Sequence, residues 1–216
     1  MEERKEWLKD WIFRLSVVAV TATLAIIAII FSGCGQGATN ITGPSPITTG
    51  TTVVDFNDPD IQLVKQYNNN PTVRWNKSII TVYDSTGMAN QSILDEWNNY
   101  LNGARLVFTN SAPADIEIIK DDNSCGGNTN TSWSGNYIIY KSIITIHQSN
   151  SFAGCDTIIK NGTVKHEIGH AIGFFGHIFD GGVMGEGSLQ STDFITISVR
   201  RTLVKLYSLQ PGTKVG

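Results

Sequence analysis

His166, Glu167 and His170 are the residues whose types and spacing point most directly to chemistry. On a helix, positions i and i+4 lie one turn apart on the same face, so this pair of histidines projects two imidazoles side by side. Two imidazole nitrogens so placed bind one zinc ion at about 2.0–2.1 Å each. Glu167 leans toward the same ion without having to ligate it. It is placed to take a proton from a zinc-activated water and pass it to a leaving group. Val164 upstream, with Ile168, Ala171 and Ile172 downstream, makes this a helix that can be buried, and Gly173 stops it three residues after the second histidine. His177 follows shortly. A third imidazole near that point completes three protein ligands and leaves a fourth position for water.

The elements that must position these residues are legible from hydrophobic spacing. The motif helix is expected over residues 161–172, and a final helix over 192–209, where Ile195, Val199, Leu203 and Leu206 share a face. Ile93, Leu94, Trp97, Tyr100 and Leu101 fall at helical spacing over 91–101, and Gly103 ends that helix. Strands are expected at 78–83, 105–109 and 115–119, with further strand material at 137–140 and 142–147. Residues 121–136 read as a long polar, glycine-containing loop. Strand, helix, strands, helix, helix is an α/β (α+β layered) domain with a mixed sheet. Trp75, Trp97 and Trp133 are expected as packing residues, and His147, at the end of a strand, is expected to face solvent.

The 216 residues suggest one domain plus appendages. At 41% hydrophobic and 16% charged, the chain has enough apolar material for a core and too little charge for disorder. A net charge of -3 and no basic patch in the body exclude nucleic acid as an expected partner. Arg4, Lys5, Lys9 and Arg14 precede an apolar run over residues 15–31, although Glu2, Glu3, Glu6 and Asp10 dilute the positive end. The run is slightly long for a signal-peptide core and slightly short for a membrane span. Phe31-Ser32-Gly33-Cys34 resembles a bacterial lipobox, which makes Cys34 a lipidation site; the alternative is an uncleaved anchor helix. Either places the rest of the chain outside the cytoplasmic membrane and tethered to it. The expected organisation is 1–34 as signal peptide with lipobox-like end or anchor, 35–70 as flexible linker or short pro-segment, and 71–216 as the catalytic domain. With Cys34 lipidated, Cys125 and Cys155 remain as a pair, readily a disulfide in an oxidising compartment. Such a bond closes a loop of about 30 residues and stabilises by about 3–4 kcal/mol on the chain-entropy argument.

The run from His166 to His177, HEIGHAIGFFGH, resembles the extended motif of the metzincin metallopeptidases, in their matrixin-like branch. Residues 71–75 look like a matrixin domain start and 191–207 like its final helix, so the resemblance spans roughly residues 71–209. It implies a twisted, mostly parallel sheet with an antiparallel edge strand, and three helices. It implies that Val183-Met184 is the Met-turn, whose Met184 lies beneath the metal. It implies a single catalytic zinc held by His166, His170 and His177, with Glu167 catalytic. In the family the third histidine falls six residues after the second; here Gly176 holds that place and His177 comes one later. Gly173 and Gly176 tolerate the bulge that this insertion requires. Asp180 is the alternative third ligand and Glu186 a further one, by analogy with families that use a carboxylate. Metzincin-like enzymes bind substrate along a sheet edge, and residues 142–147, with Ile144 and Ile146, most resemble that edge here.

These readings converge on a zinc-dependent endopeptidase acting on extracellular or envelope polypeptides. The competing expectations are a catalytically silent zinc-binding surface lipoprotein that serves as a binding module, and a cell-wall amidase, for which no glycan-binding feature is recognisable. Asp121, Asp122, Asn123 and Asp156 are oxygen donors of the kind calcium takes, but their spacing matches no calcium loop, and a plain polar loop is the expectation.

Overall fold

The computed structural model describes residues 54–148, 161–185 and 193–216. Within them the chain runs α1 (Pro59–Tyr67), β1 (Arg74–Trp75), β2 (Ile79–Asp84), α2 (Gln91–Asn98), β3 (Arg105–Phe108), β4 (Ile116–Asp121), β5 (Cys125–Trp133), β6 (Ile138–Gln148), α3 (Asn161–Ala171) and α4 (Ile197–Ser208). This is an α/β fold with a mostly parallel six-stranded sheet and four helices among the described residues. The order is β1-β6-β4-β2-β3, and β5 pairs with β6. Every pairing is parallel except that of β5 with β6.

Local chemistry sets the helix starts. The Asp58 carboxylate caps α1 by accepting from Asp60 N at 2.8 Å, with Pro59 at the first helical position. Asn90 caps α2 through Ile93 N, and Thr196 caps α4 through Val199 N. That last cap moves the start of α4 five residues past the expected 192. The sheet alternates as a one-sided layer: Ile80, Val82, Leu106, Ile116, Ile118, Ile144 and Ile146 are fully buried, while Ile79, Val107, Ile119 and Ile143 are exposed.

α3 is held at its C-terminal end by three donors from three elements. A helix leaves its last carbonyls without intrahelical partners. Here Trp75 Nε1 of β1 donates to Ala171 O at 2.8 Å, the Tyr207 hydroxyl of α4 donates to Ile172 O at 3.0 Å, and Asn68 Nδ2, just after α1, donates to Gly173 O at 2.6 Å. Earlier in the helix Trp97 Nε1 of α2 donates to Lys165 O at 3.1 Å, and the buried Lys165 ammonium pairs with Glu96.

Four expectations require correction. Residues 59–67 are not flexible linker: they form α1, whose Ile61, Val64 and Tyr67 lie in the same core as the residues beyond 71. The polar stretch expected as a loop over 121–136 contains β5. It shows no apolar alternation because its inward positions are Gly127, Thr129 and Thr131, and two of these make polar contacts: Thr129 with Glu167 and Thr131 with Ser142. Trp75 and Trp97 are buried as expected, but Trp133 is 43% exposed. Finally, residues 142–147 are no edge. β6 is bonded to β4 on one side and β5 on the other, and Ile144 and Ile146 are fully buried between them.

Candidate metal centre

Three of the chain's four histidines converge. His166 and His170 sit on one face of α3, as their spacing requires. His177 arrives from the loop beyond it. The three Nε2 atoms lie 3.0 Å (166–170), 3.3 Å (170–177) and 3.2 Å (166–177) apart. Nitrogens each about 2.0–2.1 Å from one ion at a tetrahedral angle lie roughly 3.3–3.4 Å apart, so the triangle has the size of a three-imidazole zinc site.

The hydrogen bonds on the far side of the rings fix which nitrogen faces inward. His166 Nδ1 donates to Val183 O and His170 Nδ1 to Phe174 O, both at 2.6 Å. A carbonyl only accepts, so each Nδ1 carries the proton and each Nε2 presents a lone pair. Burial lowers the pKa of both rings. His170 is held at about 4, first by burial and then by its two histidine neighbours. Both imidazoles are therefore neutral at neutral pH, the form that binds metal. Lone pairs converging at such distances repel unless a cation lies between them, and the donor set fits zinc.

The loop that delivers His177 begins with a tight helix stop. Gly173, at φ 105, is followed by Phe174, and Phe174 N bonds Gly169 O while Gly173 N bonds His170 O, both at 3.0 Å. This is the Schellman pattern, which needs the left-handed residue that glycine supplies. Beyond His177, Ile178 N bonds Met184 O at 2.9 Å.

Glu167 is 5% exposed. It lies under β5, where the Thr129 hydroxyl donates to its Oε2 at 2.6 Å. Burial raises its pKa above the usual carboxylate range, while Thr129, His177 and His147 pull it back. A Cβ at Gly127 would lie 2.7 Å from both Cγ and Oε1 of Glu167, so the missing side chain there is what lets β5 rest on the carboxylate. Met184 is fully buried against α3, and a Cβ at Gly169 would overlap its sulfur.

The remaining candidates fall elsewhere. Asp180 is exposed and accepts from Gly182 N at 3.2 Å; it is not among the converging ligand atoms. His147 is half-buried rather than solvent-facing, with Nδ1 3.6 Å from Asp121 Oδ2. Asp122 pairs with Lys120 at 3.2 Å, and among the described residues the three histidines form the one cluster of metal-ligating side chains. Cys125 is disulfide-bonded, and its partner lies outside the described residues. Cys34, Cys155, Asp156, Glu186 and the apolar run over 15–31 also lie outside them. No helix among the described residues is long and apolar enough to cross a membrane. Sequence reasoning missed Gly127, Thr129, Tyr67, Asn68 and the carbonyls of Val183 and Phe174. None of them offered a sequence signal: Gly127 and Thr129 sit in a stretch that reads as a polar loop, and a carbonyl carries no side-chain identity.

The fold and site together define an α/β protein with a three-histidine centre beside a buried glutamate. Comparison of the chain with protein-family models and with curated proteins gave no match.

Proposed function

We propose that this protein is a zinc-dependent endopeptidase of metzincin type, in the matrixin-like branch, acting on extracellular or envelope polypeptides. The observation that carries the reading is the triangle of three inward-facing Nε2 atoms, 3.0–3.3 Å apart, with the buried Glu167 adjacent on the same helix. A zinc ion held by His166, His170 and His177 would polarise the scissile carbonyl and acidify the attacking water. Glu167 would do the proton work: with Oε2 engaged by Thr129, Oε1 remains to accept the water's proton and return it to the departing amine. The outer side of β5, which no described strand pairs, replaces residues 142–147 as the place where an extended substrate would add as a further strand. Such main-chain pairing favours unfolded or extended polypeptides. The antiparallel pairing of β5 with β6 and the burial of Met184 beside α3 support the metzincin-type reading. The N-terminal pattern supports export and tethering by a lipid on Cys34 or by an anchor helix.

The test is zinc stoichiometry together with cleavage of unfolded casein, with and without a chelator. One equivalent of zinc and chelator-sensitive cleavage are expected. Bound zinc with no cleavage of any unfolded polypeptide would leave the domain a zinc-binding surface module.

A further inference from the structure

The loop that brings His177 to the centre is one residue longer than the resemblance implies, and something must hold that slack in register. The contacts come from the end of α1. Asn68, 8% exposed, uses its whole side chain: Nδ2 donates to Gly173 O at 2.6 Å and to Val73 O at 2.9 Å, and Oδ1 accepts from Val73 N at 2.8 Å. Tyr67 O accepts from Phe175 N at 2.7 Å. The Tyr67 ring stacks on the buried Phe174 ring, centroids 5.0 Å apart at 17°. Gly176 lies so close beneath that ring that a Cβ would meet Tyr67 Cδ1 at 2.8 Å. The residues 173–176, which separate the second histidine's helix from the third histidine, are thus each touched by Tyr67 or Asn68. α1 is in turn fixed to α4 by Ile61 and Val64 in the core and by the Asp60–Arg201 and Asp58–Lys205 pairs at 2.5 and 2.7 Å.

We infer that Tyr67 and Asn68 are positioning residues of the metal centre: the end of α1 sets the register of the 173–177 loop and so places His177 against the ion. The loop's other contacts are the helix-end bonds of Gly173 and Phe174, the Ile178–Met184 bond and the Trp133 ring against Phe175, and none of these comes from outside the site's own neighbourhood. Its glycines supply freedom rather than rigidity, and His177 is exposed. His170 is affected as well, because Phe174 O, which orients its ring, belongs to the same clamped stretch. The inference rests on the three-histidine zinc reading but not on proteolysis.

The experiment uses the zinc-loaded full chain and reads zinc affinity by chelator competition, and ligand number by the visible absorption of the cobalt-substituted protein. Outer contacts that orient metal ligands are worth about 10–100-fold in metal affinity, and a loss in that range is expected for Asn68→Ala. Gly176→Ala, in a half-exposed loop position, should give the same loss by pushing the loop off the Tyr67 ring while removing no hydrogen bond of Asn68. In both, the cobalt spectrum should move toward that of His177→Ala. Ile80→Val, a buried position of β2, which pairs only with β3 and β4, should leave zinc affinity and spectrum unchanged, so that general destabilisation is separated from positioning. Zinc affinity and cobalt spectra unchanged in Asn68→Ala and Gly176→Ala, with His177→Ala altered, would overturn the inference while leaving the zinc reading intact. An unaltered spectrum in His177→Ala would instead remove the third ligand, and the inference with it.

Discussion

Gly127→Ala tests the contact on which the catalytic reading turns. The new methyl group would lie 2.7 Å from Cγ and Oε1 of Glu167 and 2.9 Å from its Cδ. Ordinary carbon contacts begin near 3.5 Å, so the carboxylate must retreat by roughly 0.7–1 Å. Alanine suits an extended strand, and Gly127 is not among the glycines at positive φ, so the backbone itself is not strained. Overpacking of this kind costs about 1–3 kcal/mol, and the low end applies because a side chain rather than backbone gives way. The cost to chemistry is larger: a misplacement of about 1 Å at a reacting group reduces rate by about 100-fold. The Thr129 bond would be stretched at the same time, since Oε2 moves with the rest of the group. The assay is kcat/KM on an unfolded polypeptide, with zinc stoichiometry and thermal midpoint on the same samples. The expected result is a loss of about two orders of magnitude in kcat/KM, with zinc fully bound and a modest fall in midpoint. Near-normal activity would refute the argument that β5 rests on Glu167. Loss of zinc would show that the glycine serves the ligands instead.

Further outcomes follow from the same geometry. Glu167→Gln should abolish cleavage and retain zinc. Because burial raises the folded pKa of Glu167 above its unfolded value, metal-free wild type should lose stability relative to this variant as pH rises above the ordinary glutamate value of 4.5, and the two should converge below it; denaturant midpoints against pH decide this. The lowered pKa values of His166 and His170 act in the opposite sense: the unfolded chain binds their protons first, so the metal-free fold should weaken as pH falls from 6.5 toward about 4. His177→Ala should lose most of its zinc affinity and Asp180→Ala none, read by chelator competition; the reverse ranking would make Asp180 the ligand. Proline placed in turn at Asn128, Asn130 and Thr131 of β5, none of which bonds Glu167, should yield at least one folded, zinc-loaded protein that cleaves poorly, where the missing N–H is one that faced away from β6. Full activity in every folded proline variant would remove β5 as the substrate edge.

The sequence determined what depends on local spacing. The i, i+4 pair at His166 and His170 must share a helix face whatever surrounds it, and Gly173 must end that helix within a turn, so two convergent imidazoles, the carboxylate beside them and the early return of His177 were all legible. The buried apolar residues of α2 and α4 followed from the same periodicity. Tertiary structure decided the rest, because it depends on which segments meet. Whether a strand is an edge is a property of pairing: residues 142–147 have the apolar alternation of a good strand, but β5 covers them, and β5 itself is polar because its inward residues touch Glu167 and Ser142 rather than a hydrocarbon layer. α1 fell within a stretch read only as linker or short pro-segment because its nine residues are too few to announce a helix alone. Its stability comes from packing on α4, more than 130 positions away, and from the loop of the third histidine that its end holds in place.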